Sequence, residues 1–367
     1  MKNACVILKK KVSAREGGEN AVLDAFYLCG YSFEEIRILP QSNEKKLRLA
    51  LTTLWADCDN ILLLADKMAL PIVKGCLTAI FSGIAPTNEF SNACVYTQKE
   101  GSLFLLSADE SETGVGFVKT VCVPYLEKRY GVRYEKTVIR CVGASDERVC
   151  ALISEAERLG GAKLRIERRR KYDEDVIGIV YDSNAPKMLV DDVIRLFAEG
   201  LGDTVYALND VLLEEQLVTL LKLRNKKISV AESFTGGGLA KRITSVSGAS
   251  AVYFEGVNAY DERSKMKRLG VSEYGLHTAG AVSDQTAYEM ALGLLNTGDC
   301  DIAIATTGLA GPNSDRSMLP VGLCYIAVGT KEKVYVYRYK FDGNRTDITE
   351  KGINYALFMA YRHLKNM

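Results

Sequence analysis

Apolar positions in the first third of the chain fall into two rhythms. Short unbroken runs at residues 4–8, 36–39, 60–64 and 103–106 read as buried strands, while residues 20–28, 45–55 and 68–81 repeat apolar side chains at helical spacing. Strands and helices in alternation predict a parallel sheet with helices on its faces, so residues 1–133 read as one α/β domain. The rhythm changes near residue 134. A strand at 136–142, an amphipathic helix at 145–159, strands at 163–168 and 176–181 and a helix at 185–201 form a small α+β unit, 134–209. From 210 the α/β rhythm returns. A helix (212–224), a strand (228–231), a glycine loop and a second helix (239–246) are followed by strands at 257–260, 302–306, 322–328 and 333–341 and a closing helix at 346–364. Gly329-Thr330-Lys331-Glu332 reads as a hairpin turn between the last two strands. The fold class expected is α/β in three domains, 1–133, 134–209 and 210–367.

Composition narrows the function classes. With 47 basic and 46 acidic residues in 367, the net charge of +1 supplies no overall field for nucleic acid or an anionic membrane. The strongest local feature is Arg165-Ile-Glu-Arg-Arg-Arg-Lys171. It reads either as a strand edge kept from aggregating by its cations or as a nucleic-acid patch, and the absence of aromatics between the basic residues favours the edge. Ten cysteines without a Cys-x-x-Cys pair, many in apolar runs, predict a reduced, cytoplasmic protein with buried thiols. The start of the chain is apolar and then basic (Lys9-Lys10-Lys11), the reverse of a signal peptide, and no run of ~18 apolar residues predicts a membrane span. His277 and His363 are the only histidines, which excludes a multi-histidine metal centre and turns the search for a base to lysine, tyrosine and carboxylates.

Two glycine loops carry the candidate chemistry. Glu232-Ser233-Phe234-Thr235-Gly236-Gly237-Gly238 joins a strand to a helix, where free N–H groups favour an anion, although an ordinary glycine-rich turn has the same composition. Thr306-Thr307-Gly308-Leu309-Ala310-Gly311-Pro312 follows a second apolar strand, and loops at the carboxyl ends of neighbouring strands converge on one pocket. Arg345 either adds a cation there or is a surface arginine at a helix start. Ser233 and Thr235 are candidate nucleophiles beside the glycines. Ser250, Tyr260 and Lys265 form a sharper set, since a desolvated lysine with a lowered pKa can take a serine proton and loop N–H groups can hold the resulting oxyanion. Ser250 as a helix cap, Tyr260 as core and Lys265 as a solvent-facing residue stay open beside it.

At these residues the chain resembles the C-terminal domain of the CinA (competence/damage-inducible) family, which includes stand-alone nicotinamide mononucleotide deamidases. The matching blocks, in order, are Val230-Ala-Glu-Ser-Phe-Thr-Gly-Gly237, Gly248-Ala-Ser-Ala251, Gly256-Val-Asn-Ala-Tyr260, Lys265, Leu269-Gly-Val271, Gly280-Ala-Val-Ser283, Thr307-Gly-Leu-Ala-Gly-Pro312, Pro320-Val-Gly322 and Phe341-Asp-Gly-Asn-Arg345. The resemblance implies hydrolysis of the carboxamide of nicotinamide mononucleotide to nicotinate mononucleotide and ammonia, by Ser250, Tyr260 and Lys265. It implies a nucleotide site lined by Glu232, Ser233, Thr235, Gly236, Gly237, Thr307, Gly308, Ala310, Gly311 and Arg345, with no cofactor or metal, and a homodimer. Phe234 departs from the pattern, the family usually having cysteine there, as do Asp261-Glu262-Arg263 and the short loop 313–319. The middle unit resembles the family's KH-type domain over residues 195–206 but lacks a Gly-x-x-Gly loop, so it reads as a spacer and nucleic acid is not an expected partner. The first domain resembles a molybdopterin-binding-like domain associated with ADP-ribose pyrophosphatase activity. Both of its phosphate loops are replaced, by residues 11–18 and 65–71, which implies a retained fold and a lost activity. A non-catalytic nucleotide-binding scaffold associated with competence or DNA damage is the contrasting expectation.

Overall fold

Three sheets organise the residues described by this computed structural model, 1–10, 18–80, 88–90, 93–97, 101–107, 111–313 and 318–367. The first stretch runs β1 (Asn3–Lys9), α1 (Glu19–Leu28), β2 (Glu35–Pro40), α2 (Glu44–Asp57), β3 (Asn60–Ala65), α3 (Leu70–Ile80), β4 (Asn88–Phe90), β5 (Ala93–Thr97) and β6 (Ser102–Ser107). It closes with α4 (Ser111–Phe117), which passes through a π turn into α5 (Val123–Tyr130). The sheet order is β2-β1-β3-β6-β5-β4. Its first four strands are parallel, and β3 and β6 are buried along their whole length, as strands between two helix layers must be. β5 and β4 add an antiparallel edge that the sequence expectation did not contain. Residues 11–17 of the first replaced loop, and 314–317 of the short loop before residue 320, lie outside the described residues.

The second stretch is β7 (Tyr134–Val142), α6 (Asp146–Gly160), β8 (Leu164–Lys171), β9 (Glu174–Asp182), α7 (Lys187–Leu201) and β10 (Val205–Ala207), with sheet order β10-β7-β9-β8. The arginine-rich run forms β8, the edge strand. Two of its cations converge on one of the chain's own acids: Arg168 and Arg170 both bond the fully buried Asp175 carboxylate, at 2.7 and 2.8 Å, and Arg168 also pairs with Asp146.

The third stretch is α8 (Leu213–Leu223), β11 (Ile228–Glu232), α9 (Gly238–Thr244), β12 (Tyr253–Asn258), α10 (Glu262–Leu269), α11 (Glu273–Ala279), α12 (Asp284–Thr297), β13 (Ile302–Gly308), β14 (Leu323–Gly329), β15 (Val334–Lys340) and α13 (Arg345–Lys365). The sheet order is β12-β11-β13-β14-β15, with the first three strands parallel and β14 and β15 antiparallel. The two faces are written in alternate residues of β13. Ile302 and Ile304 pack into a large core with α8, α9 and α13, whereas Ala303 and Ala305 face Ala287, Met290, Ala291 and Leu294 of α12. The small residues on the second face let α12 approach, and α10 then crosses α12 at Gly293.

Contacts group the chain into two compact units, Met1–Lys136 with Val180–Pro186 and Thr137–Ile179 with Lys187–Met367. One sheet lies in each of the stretches 1–133, 134–209 and 210–367. None of the ten cysteines, all among the described residues, is in a disulfide. Among the described residues no helix is long and apolar enough to cross a membrane.

A β-carbon at Gly293 would run into the Leu269 backbone carbonyl, so α10 would have to move as a body. Gly293→Ala, which helix propensity alone would favour, is therefore expected to destabilise by about 1–3 kcal/mol through overpacking. A lower urea midpoint checks this, and an unchanged midpoint would mean that α10 shifts freely.

Candidate active site

Parallel pairing of β11 with β12 and β13 brings three carboxyl-terminal strand ends side by side. Ser233 follows β11 directly, its N–H donating to Thr306 O of β13 at 3.0 Å, and Ala259, just past β12, donates to Glu232 O at 2.8 Å. Helix α10 is capped by Asp261, and its two core-facing residues are Lys265 and Leu269, one turn apart. Lys265 is 1% exposed. Its Nζ donates to Ser233 Oγ at 3.0 Å, to Ala259 O at 2.8 Å and to Tyr260 O at 3.3 Å. Burial lowers this ammonium to about 8, against the opposing pull of Glu262 and Asp261. In the neutral form the two carbonyls can each take one N–H, which leaves the lone pair for the serine hydroxyl.

The sequence-predicted residues divide. Tyr260, Lys265, Ser233, Thr306, Thr307 and Arg345 gather at the carboxyl ends of the strands, but Ser250 does not join them. It is exposed, on the single turn Ala249–Ala251 before β12, whereas Tyr260 follows the same strand. Six extended residues at ~3.3 Å each put ~20 Å between the two ends. Strand β12 thus separates Ser250 from Lys265, and the serine that meets the lysine is Ser233. The signal available in the sequence was position: a serine at a strand-to-helix turn, the local setting of a nucleophile elbow.

Tyr260, 62% exposed, also differs from its expected place. Its hydroxyl accepts from Arg345 Nη2 at 3.1 Å, while Arg345 Nη1 donates to Gly311 O at 2.7 Å, so the tyrosine ring and the arginine bridge the loops after β12 and β13. Its hydrogen bond with Lys265 is through the backbone carbonyl, not the hydroxyl.

The anion site expected at the first glycine loop is filled from within. Glu232, almost wholly buried, accepts N–H bonds from Gly237 and Leu239 through Oε2, both at 3.0 Å, and from Ala240 through Oε1 at 2.8 Å. These are the free N–H groups of the α9 amino end, so neither Glu232 nor this end of α9 is open to a substrate phosphate. Thr235 and Thr307 are buried and bonded elsewhere, Thr235 Oγ1 with Thr306 Oγ1 at 2.7 Å and Thr307 Oγ1 to Ala281 O at 2.6 Å. Ala310 is buried in an apolar cluster. Gly236 is exposed, and Gly237, Gly308 and Gly311 are half-buried at the rim. The N–H groups of Phe234 and Thr235, next to Ser233, have no acceptor among the described residues.

Glu232→Gln replaces one acceptor oxygen by an amide NH₂, and either orientation leaves at least one of the three N–H groups unmatched. The expected loss is about 1–3 kcal/mol, measured as a lower melting temperature; an unaltered melt would remove the carboxylate from its structural role.

The family model described as "CinA C-terminal domain" matches residues 210–364. A competence-damage inducible protein of Caldicellulosiruptor saccharolyticus is 38% identical over 66% of this chain and 60% of its own length. A CinA-like protein of Kosmotoga olearia is 32% identical over 77% of this chain and 68% of its own length. Among solved structures, a competence/damage-inducible protein from Agrobacterium tumefaciens is 36% identical, with a TM-score of 0.39, covering 40% of this chain and 90% of that one. The chain belongs to the CinA family of competence/damage-inducible proteins.

Proposed function

We propose that the residues after 210 form a serine amidohydrolase that converts the carboxamide of nicotinamide mononucleotide to the carboxylate and ammonia, with Ser233 as nucleophile and Lys265 as its base. The observation that carries this reading is the 3.0 Å contact between a buried lysine amine and a buried serine hydroxyl. A lysine whose ammonium sits near 8 is partly neutral at physiological pH and serves as a general base without histidine. The choice of a pyridine nucleotide rests on the family resemblance.

In the forward step Ser233 Oγ attacks the carboxamide carbon as its proton passes to Lys265 Nζ. The carbonyl oxygen becomes an oxyanion, for which the unengaged N–H groups of Phe234 and Thr235, beside Ser233, are candidate donors. Lys265 then returns the proton to the departing nitrogen, which leaves as ammonia, and the serine ester remains. Water attacks that ester as Lys265 takes its proton; Lys265 then gives this proton to Ser233 Oγ as the ester C–O bond breaks, and the product acid releases its own proton to solvent and leaves as the carboxylate. Arg345 offers a cation at the rim and Tyr260 an exposed ring, suited respectively to the phosphate and the pyridine of such a substrate.

In an ammonia-release assay on nicotinamide mononucleotide, Ser233→Ala is expected to lower kcat by roughly 10³-fold or more, while Ser250→Ala keeps the wild-type rate. An active Ser233→Ala beside an inactive Ser250→Ala would return the nucleophile to Ser250. Because only the neutral amine accepts the serine proton, kcat/KM is expected to rise with pH through about 8 and level off above it. A flat profile between pH 6 and 9 would exclude Lys265 as the base.

A further inference from the structure

The residue after Ser233 points out of the site and into α13. Phe234 is almost wholly buried, in a small cluster with Ala310, Cys324, Phe341 and Ile348. The tip of its ring lies against Gly352, in the interior of α13. A β-carbon built on Gly352 would stand 2.6 Å from Phe234 Cε2 and closer still to Cζ. Carbon atoms in contact keep ~3.5–4.0 Å apart, so the ring and any side chain at 352 exclude one another. Gly352 does not have a positive φ, so the backbone of α13 does not call for glycine there. The ring does.

We propose that Phe234 and Gly352 are a matched pair that positions the nucleophile turn, the ring seated on the bare face of α13 setting where the backbone of residues 233–235 stands. The proposal rests on the reading of Ser233 as nucleophile. Phe234 is a positioning residue, acting through Ser233 Oγ and through the two unengaged N–H groups beside it. The ring is packed among Ile348, one turn earlier on α13, Phe341 after β15, and Ala310, so swinging aside would displace these neighbours. In this arrangement the turn that carries the ring takes up the push. That turn is tied on its other sides by Ser233 N to Thr306 O, by Thr235 to Thr306 and by Glu232 to α9, so a push from 352 is transmitted to the 3.0 Å contact between Ser233 and Lys265.

Four full-length proteins test the pair: wild type, Phe234→Cys, Gly352→Ala and the double variant. Two measurements are made on each, ammonia release from nicotinamide mononucleotide and amide hydrogen exchange of the peptide 232–240. Gly352→Ala is expected to lower kcat roughly ten- to a hundredfold, the cost of sub-ångström to ångström misplacement, with KM held, and to speed exchange in that peptide. In the double variant the small thiol makes room for the new methyl, and both properties return to the level of Phe234→Cys. Exchange in Gly352→Ala identical to wild type, or a double variant no better than Gly352→Ala, overturns the pair. Should Gly352→Ala fail to fold, recovery of a folded double variant supports the pair and its failure overturns it. Absence of ammonia release by the wild type would defeat the proposed reaction, while the exchange comparison would still decide the pairing.

Discussion

The carboxylate of Glu232 closes the amino end of α9, and the geometry of the site hangs on that closure. Three N–H groups that would otherwise need water or a ligand converge on two oxygens of a residue at the end of β11. Strand and helix are thereby locked to each other across a turn of a few residues, and Ser233 stands inside that turn. A glycine-rich sequence would leave such a turn loose. Here the internal anion supplies the rigidity, while Gly236 and Gly237 supply the positive φ that the path requires.

Lys265 illustrates how a cost to folding becomes a chemical property. Taking an ammonium out of water is unfavourable, and three oxygen acceptors only partly offset it, so burial leaves the group easier to deprotonate. The same displacement from water that weakens the charged form produces a usable base beside Ser233. Two carboxylates close in sequence, Asp261 and Glu262, moderate the shift rather than cause it.

Much of the third sheet was legible in the sequence, because β11 and β13 are apolar runs that end in glycine loops and β14 and β15 flank a turn. Helix α10 was not. It reads Glu-Arg-Ser-Lys-Met-Lys-Arg-Leu, and a core-facing lysine at 265 defeats any pattern that looks for apolar residues on the buried face. The meeting of Lys265 with Ser233 rather than Ser250 was hidden for a related reason. Ser250 is nearer than Ser233 to Lys265 in sequence, yet an extended strand carries the chain away from Ser250, while parallel pairing returns the end of β11 to the start of α10. Nor does composition distinguish a helix end that awaits a phosphate from one already satisfied by a glutamate of its own chain, and so Glu232 was placed among the ligand contacts.

The hairpin tip between β8 and β9 meets the closing helix in an unusual currency. Asn354 Oδ1 accepts from Arg242 of α9, and its Nδ2 donates to the carbonyl of Tyr172, where Tyr172 and Asp173 both have positive φ. The acceptor on the hairpin side is main chain, so the bond asks for a backbone shape and is indifferent to the side chain that carries it. That bond can therefore persist while the residue at 172 changes, provided that the replacement, such as asparagine, aspartate or glycine, tolerates the left-handed conformation, whereas the ion pair beside it, Lys351 with Asp173, does depend on a tip side chain. One junction thus carries two kinds of instruction, a backbone shape at Tyr172 and a charge at Asp173.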